Sequence, residues 1–199
     1  MSRNSAFAPR LGGLLAVTSL ICVAQITAMR LRSGDLLPQV SGETPTGKTL
    51  QLPAAGTGKP MVVVFSFTKT AGVDARHWDD RLFRDFPNAA VCNQVIVLES
   101  VPKLFRGMAV SNIRGNMPLS LQDRTILLYR DEEFWKQRLG VSEANRSYVV
   151  LLGQAGHIHW SSSTAFTEVE YLRLKKELES LVSPHERTDN NQVNNQTTR

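Results

Sequence analysis

The chain has only two cysteines in 199 residues, Cys22 and Cys92, and no Cys-x-x-Cys pair. Cys22 lies inside an apolar leader, so cleavage of that leader leaves one thiol and excludes an intramolecular disulfide. No glycine-rich phosphate loop follows any apolar run, which removes the usual signature of a nucleotide site. Acidic residues are absent from the first 32 positions, where Arg3, Arg10, Arg30 and Arg32 lie. The net charge of +5 rests on those four, since without them 19 basic residues face 18 acidic ones. A nearly neutral domain without a Lys/Arg stripe between aromatics argues against nucleic acid as a partner. Histidine is scarce too: His77, His157, His159 and His185 are the whole complement.

What is present begins with Leu11 to Met29, a 19-residue stretch free of charge. Behind a basic start, such a run reads as an export signal or a single membrane anchor. No small-x-small cleavage site follows it, which favours the uncleaved anchor. The expected location is membrane-anchored or exported, at the periplasmic face of a bacterial inner membrane. The acid-free, Arg- and Ser-containing composition leaves a mitochondrial inner-membrane protein as the alternative.

Four segments are expected: a signal or anchor at 1–32, a linker and entry strand at 33–60, one α/β domain at 61–183, and a disordered polar tail at 184–199. Met61 to Phe67 is an unbroken β-branched and aromatic run that suits a central strand, and Lys48 to Leu52 suits a short one before it. Asp74 is placed to cap a helix carrying Trp78, Leu82 and Phe86, with Asp79 and Asp80 on its solvated side. A strand over Val91 to Leu98 completes a parallel βαβ unit. Glu99 to Val110 reads as a short helix, Ser111 to Gln122 as an irregular connection, and Arg124 to Tyr129 as a strand.

Asp131 is placed to cap a helix with Phe134, Trp135 and Leu139 that stops at Gly140. Tyr148 to Leu152 is a second doubly covered strand, and Gly153 to Gly156 supplies a hairpin turn. Alternation over His157 to Ser161 puts Ile158 and Trp160 inward. Thr167 caps a last helix whose buried face is expected at Val169, Leu172, Leu174, Leu178 and Leu181.

This order of elements, over about residues 33–182, resembles the thioredoxin-like fold and its TlpA-type and AhpC-type redoxins. The resemblance implies a central mixed sheet in one domain, closed by a C-terminal β-hairpin and helix. In those families the first helix opens on a Trp-Cys-x-x-Cys turn, and a cis-proline precedes the hairpin strand. Here the matching positions are Thr70-Ala71-Gly72-Val73 and Arg146-Ser147-Tyr148. Thioredoxin chemistry is that of a thiolate with its pKa lowered at a helix N-terminus. Without either sulfur it cannot run there.

The run from Asn93 to Leu181 also resembles the mitochondrial and bacterial family of ATP synthase assembly factors that chaperone subunit a. The matching residues are Glu99-Ser100, Met117-Pro118, Tyr129-Arg130-Asp131, Arg146 to Leu152, and Gly156-His157-Ile158-His159-Trp160. That resemblance implies a redox-inactive, membrane-tethered protein that binds a polypeptide client, with no catalytic residue and no cofactor. Its partner surface would lie at Thr70, Ala71, Gly72, Val73, Arg146 and Ser147, where an extended chain could pair by its backbone.

Two other chemistries compete with that reading. Cys92 alone could serve a single-cysteine oxidoreductase or peroxidase-like redoxin, although it starts a strand rather than a helix. His157 and His159 share one face at i, i+2, as a metal would require, but no third ligand is near in sequence.

Overall fold

The computed structural model describes residues 30–53, 58–88 and 91–193, with residues 183–193 by backbone only. The apolar segment Leu11–Met29, with Cys22, lies outside the described residues. Among the described residues no helix is long and apolar enough to cross a membrane.

The apolar run at Met61 forms β3 (Met61–Ser66), with all six residues buried. It pairs in parallel with β4 (Val91–Val97) and antiparallel with β6 (Tyr148–Leu152). A strand flanked on both edges and covered on both faces has no polar side to show, which is why its sequence is continuously apolar. The full sheet adds β1 (Val40–Glu43), β2 (Thr49–Leu52), β5 (Thr125–Leu128) and β7 (Ile158–Ser162), in the order β2-β1-β5-β4-β3-β6-β7.

One face of the sheet packs on α1 (Lys69–Asp85) and α5 (Glu168–Val193) through Val62, Val64, Trp78, Leu82, Val149, Tyr171, Leu174 and Leu178. The other packs on α4 (Glu132–Leu139) through Phe65, Trp135 and Tyr148, with the Phe65 and Trp135 rings 5.0 Å apart. Between β4 and β5 run α2 (Lys103–Asn116) and the short α3 (Leu119–Gln122).

Several sequence expectations are corrected. Within 33–60 the short strand expected at Lys48–Leu52 is β2, and an unforeseen β1 forms a hairpin with it and joins β5. Gly42 makes that junction possible: a Cβ there would stand 2.6 Å from Ile126 Cγ2 and 2.8 Å from the Leu127 carbonyl. The irregular connection expected at Ser111–Gln122 is helical to Asn116 and again from Leu119. No residue of α2 is buried, and its second half, Ser111–Asn116, carries Ile113 as its one large apolar residue, so no apolar stripe marked that half as helical.

Asp131 precedes α4 in a left-handed conformation, φ 63°, without a side-chain capping bond. The carboxylate of Glu99 takes that role, accepting from the Glu132 amide at 2.6 Å. Thr167 does cap α5, its hydroxyl accepting from the Glu170 amide at 3.2 Å. The buried face of that helix is Tyr171, Leu174 and Leu178, while Val169 and Leu172 are exposed. Helical backbone continues past Pro184 to Val193.

The hairpin contains an irregularity that breaks simple alternation. Leu151 pairs with Trp160 and Leu152 with Ile158, so His159 is the extra residue of a bulge. Ile158 consequently packs on the α4 face and Trp160 on the α1 face, rather than both on one.

Candidate functional site

The carboxyl ends of β3, β4 and β5 lead into α1, α2 and α4, and β6 begins at the same edge. Open α/β sheets present their ligand sites there. The helix facing that edge begins earlier than Asp74 predicts. Thr68 is its N-cap, extended at φ −141° and ψ 167°, with its hydroxyl accepting from the Ala71 amide at 3.1 Å. The positions Thr70 to Val73 are therefore the first turn of α1 rather than a loop.

Asp74, freed from capping, reaches across to the approach of β6. Its Oδ2 accepts from the Ser147 amide at 3.0 Å and from the Ser147 hydroxyl, while its Oδ1 accepts from the Phe166 amide at 2.8 Å. The Thr68 hydroxyl donates to Asn145 Oδ1 at 3.0 Å. These bonds bring Thr70–Val73 beside Arg146 and Ser147, two segments more than 70 residues apart.

Exposure divides the six residues expected there. Ala71 and Ser147 are fully buried, Gly72 and Arg146 are partly so, and Thr70 and Val73 are open. Arg146 is held by Glu143 at 2.8 Å. The Ser147 amide, spent on Asp74, is not available to an incoming strand. No sulfur lies in this turn, so thiol–disulfide exchange has no nucleophile here. Large apolar side chains stand exposed on the helices that start at this edge: Val73 on α1, Leu104, Phe105 and Met108 on α2, and Phe134 on α4. Leu104, at 87% relative exposure, is the most open of them.

A second polar cluster lies at the opposite end of α1, by the amino ends of β3 and β4. Asp79 was expected on the solvated side of its helix, but it is 3% exposed, on the stripe with Ala75, Trp78 and Leu82, while Asp80 faces out. Asp79 Oδ1 accepts from the Cys92 thiol at 3.1 Å, and Oδ2 accepts from the Gln94 side-chain amide.

Burial pushes the Asp79 carboxyl up to about 7; the Cys92 and Gln94 bonds pull it down, and the charge of Asp80 raises it further. The Cys92 thiol is raised well above its ordinary value, first by burial and then by the charge of Asp79 and its hydrogen bond. A thiol so held is a poor nucleophile near neutral pH. Sequence reasoning missed this cluster because its members, 13 and 15 residues apart, meet only through the βαβ crossover. The readable signal was an acid at i+4 from Ala75 and i−3 from Leu82, on the apolar stripe.

His157 and His159 border one surface cavity with Gly153 and Ser180. His157 Nδ1 lies 2.9 Å from the Gly34 carbonyl oxygen. Among the described residues, no group of three His, Cys, Asp or Glu side chains could hold a metal ion.

No family model matches the sequence, and neither does any curated protein. Solved structures do match. A thiol:disulfide interchange protein DsbE of Chlorobium tepidum superposes with a TM-score of 0.58 at 13% identity, over 77% of this chain and 99% of that one. A thioredoxin-like protein of Porphyromonas gingivalis gives 0.52 at 21% identity, over 75% and 93%. A peroxiredoxin-like protein of Aquifex aeolicus gives 0.50 at 13% identity, over 75% and 88%. Identities this low carry the architecture and not the chemistry: the chain has a thioredoxin-like fold, with a seven-stranded mixed sheet and five helices among the described residues.

Proposed function

We propose that this chain is a redox-inactive thioredoxin-like protein, tethered to a membrane by its N-terminal segment, that binds polypeptide and assists assembly of a membrane complex. The observation that carries the reading is the first turn of α1. Thr70, Ala71, Gly72 and Val73 occupy it without a thiol, and the Asp74 carboxylate fastens it to Ser147. Exposed Val73, Leu104, Phe105 and Phe134 around that edge supply the apolar surface that a polypeptide client needs. ATP synthase is the complex to which the resemblance of Asn93–Leu181 points, with its membrane-embedded subunit a as client.

Co-purification of the full chain from detergent-solubilised membranes tests this reading. Subunits of the complex should be recovered, and a deletion strain should assemble less of it. Recovery of none, with unchanged levels of the complex in the deletion strain, would overturn the proposal.

A second reading, a single-cysteine redoxin, is favoured by the thiol:disulfide interchange and peroxiredoxin-like proteins among the structures that share this fold, while the contact of Cys92 with Asp79 counts against it by raising the thiol. It requires thiol-dependent turnover that Cys92→Ser abolishes. The same substitution leaves a binding protein intact.

A further inference from the structure

At the amino ends of β3 and β4, away from the proposed client surface, a cavity of about 200 Å³ opens between the end of α1 and α3. Leu82, Phe83, Phe86 and Leu121 form apolar walls, Asp79 and Cys92 line the interior, and exposed Asp80 and Arg124 complete the lining. A space of this size takes an aliphatic chain of several carbons rather than a single water.

The charge balance inside it is unusual. Asp79 is bonded by two neutral donors, Cys92 and Gln94, and among the described residues no cation forms an ion pair with it. Two of the cations nearest the end of α1 are engaged elsewhere, and Arg124 at the cavity rim is directed to the Cys92 side. Arg81 pairs with Glu168 at 2.6 Å, and Lys175 pairs with Asp85 at 3.1 Å while lying 5.9 Å from the Phe86 ring centre. Asp80, on the same helix, adds a second negative charge. A buried carboxylate without a counter-ion is costly, and an entering cation offsets that cost. An apolar stem leading to an ammonium group fits both the walls and the acid, and the Phe83 ring, 62% exposed at the cavity, suits a cation or its methylenes.

We propose that this cavity binds a primary alkylammonium group, its stem against Phe83, Phe86 and Leu121 and its cation at the Asp79 carboxylate. The group is carried either by a free amine or by a lysyl side chain. Because Asp79 holds a proton up to about pH 7 in the free protein, the cation binds best above that pH. Affinity falls about tenfold for each unit below it.

Amide-shift titrations of the full chain in detergent micelles test the site with n-pentylammonium, n-pentanol and an unstructured peptide holding one lysine. Saturable binding of n-pentylammonium at pH 8 is expected, with shifts at Asp79, Cys92 and Leu121. At pH 5.5 binding should be roughly thirtyfold weaker. Both Asp79→Asn and the cavity-filling Leu121→Trp should lose it. Preference for the peptide assigns the source as a polypeptide lysine, and preference for the free amine assigns a small molecule. Equal affinity for n-pentanol and n-pentylammonium, or no saturable binding of either amine at pH 8, would overturn the proposal. The wild-type pH and alcohol comparisons decide it even where a variant fails to fold.

Discussion

The carboxylate of Asp74 holds Ser147 by both its amide and its hydroxyl, and so ties the first helix to the strand that faces it across 73 residues of sequence. The same carboxylate reaches the Phe166 amide on the approach to α5. One side chain thus fastens three segments around the place where related folds run thiol chemistry. Asp74→Ala should cost roughly 2–4 kcal/mol, because it strands donors at the buried Ser147 and the half-buried Phe166. Urea denaturation measures this, and a loss below about 0.5 kcal/mol, the range of neutral surface changes, contradicts it.

Asp79 sets an uncommon pH dependence. Its folded pKa of about 7 lies above the ordinary 3.8, so the folded state binds the extra proton between those values. Its contribution is therefore most favourable below about pH 4, is lost as pH rises to about 7, and is flat above that. Asp85 and Asp123, whose pKa values are lowered, act oppositely and lose their contribution as pH falls below the ordinary carboxylate range. Asp79→Asn should flatten the stability profile from pH 4 to 7 and gain on wild type at pH 8. Chemical denaturation of both proteins across that range checks the sign.

Cys92 should react slowly while the chain is folded. Iodoacetamide at pH 7.5, on a Cys22→Ser background, should label it far more slowly than in urea. Removing the neighbouring charge with Asp79→Asn should speed labelling, because that charge helps raise the thiol. Rapid labelling of the folded wild type would contradict the assignment.

Much of the architecture is legible in the sequence where burial demands it. Met61–Ser66 and Tyr148–Leu152 are continuous apolar runs because both become inner strands covered on two faces. β1 is not, since Val40-Ser-Gly-Glu43 carries a serine, a glycine and an acid, and its place depends on how closely Gly42 approaches Leu127. Helix starts misled in a consistent way. Asp74 and Asp131 look like caps, yet Thr68 and Glu99 make the capping bonds, because both acids stand where other geometry governs them. The adjacency of Thr70–Val73 to Arg146–Ser147 was legible in outline. Its Asp74 fastening, like the Cys92–Asp79–Gln94 cluster, depends on three-dimensional register.

Gly42→Ala should destabilise the β1–β5 edge by about 1–3 kcal/mol, the usual cost of forced overpacking. Gly107→Ala in α2 meets no atom within 4 Å and should stabilise by about 0.5–1 kcal/mol through helix propensity. Thermal melts of the pair separate a steric requirement from mere conformational freedom.

The central claim is that the edge around α1 binds polypeptide without thiol chemistry. Placing a photo-crosslinking amino acid at Val73 in the full chain, in cells carrying Cys92→Ser, tests it most directly. The account predicts adducts with a subunit of a membrane complex and their loss when Leu104 and Phe105 are both changed to Asp. The absence of any polypeptide adduct at Val73, together with loss of biological function on Cys92→Ser, would contradict it.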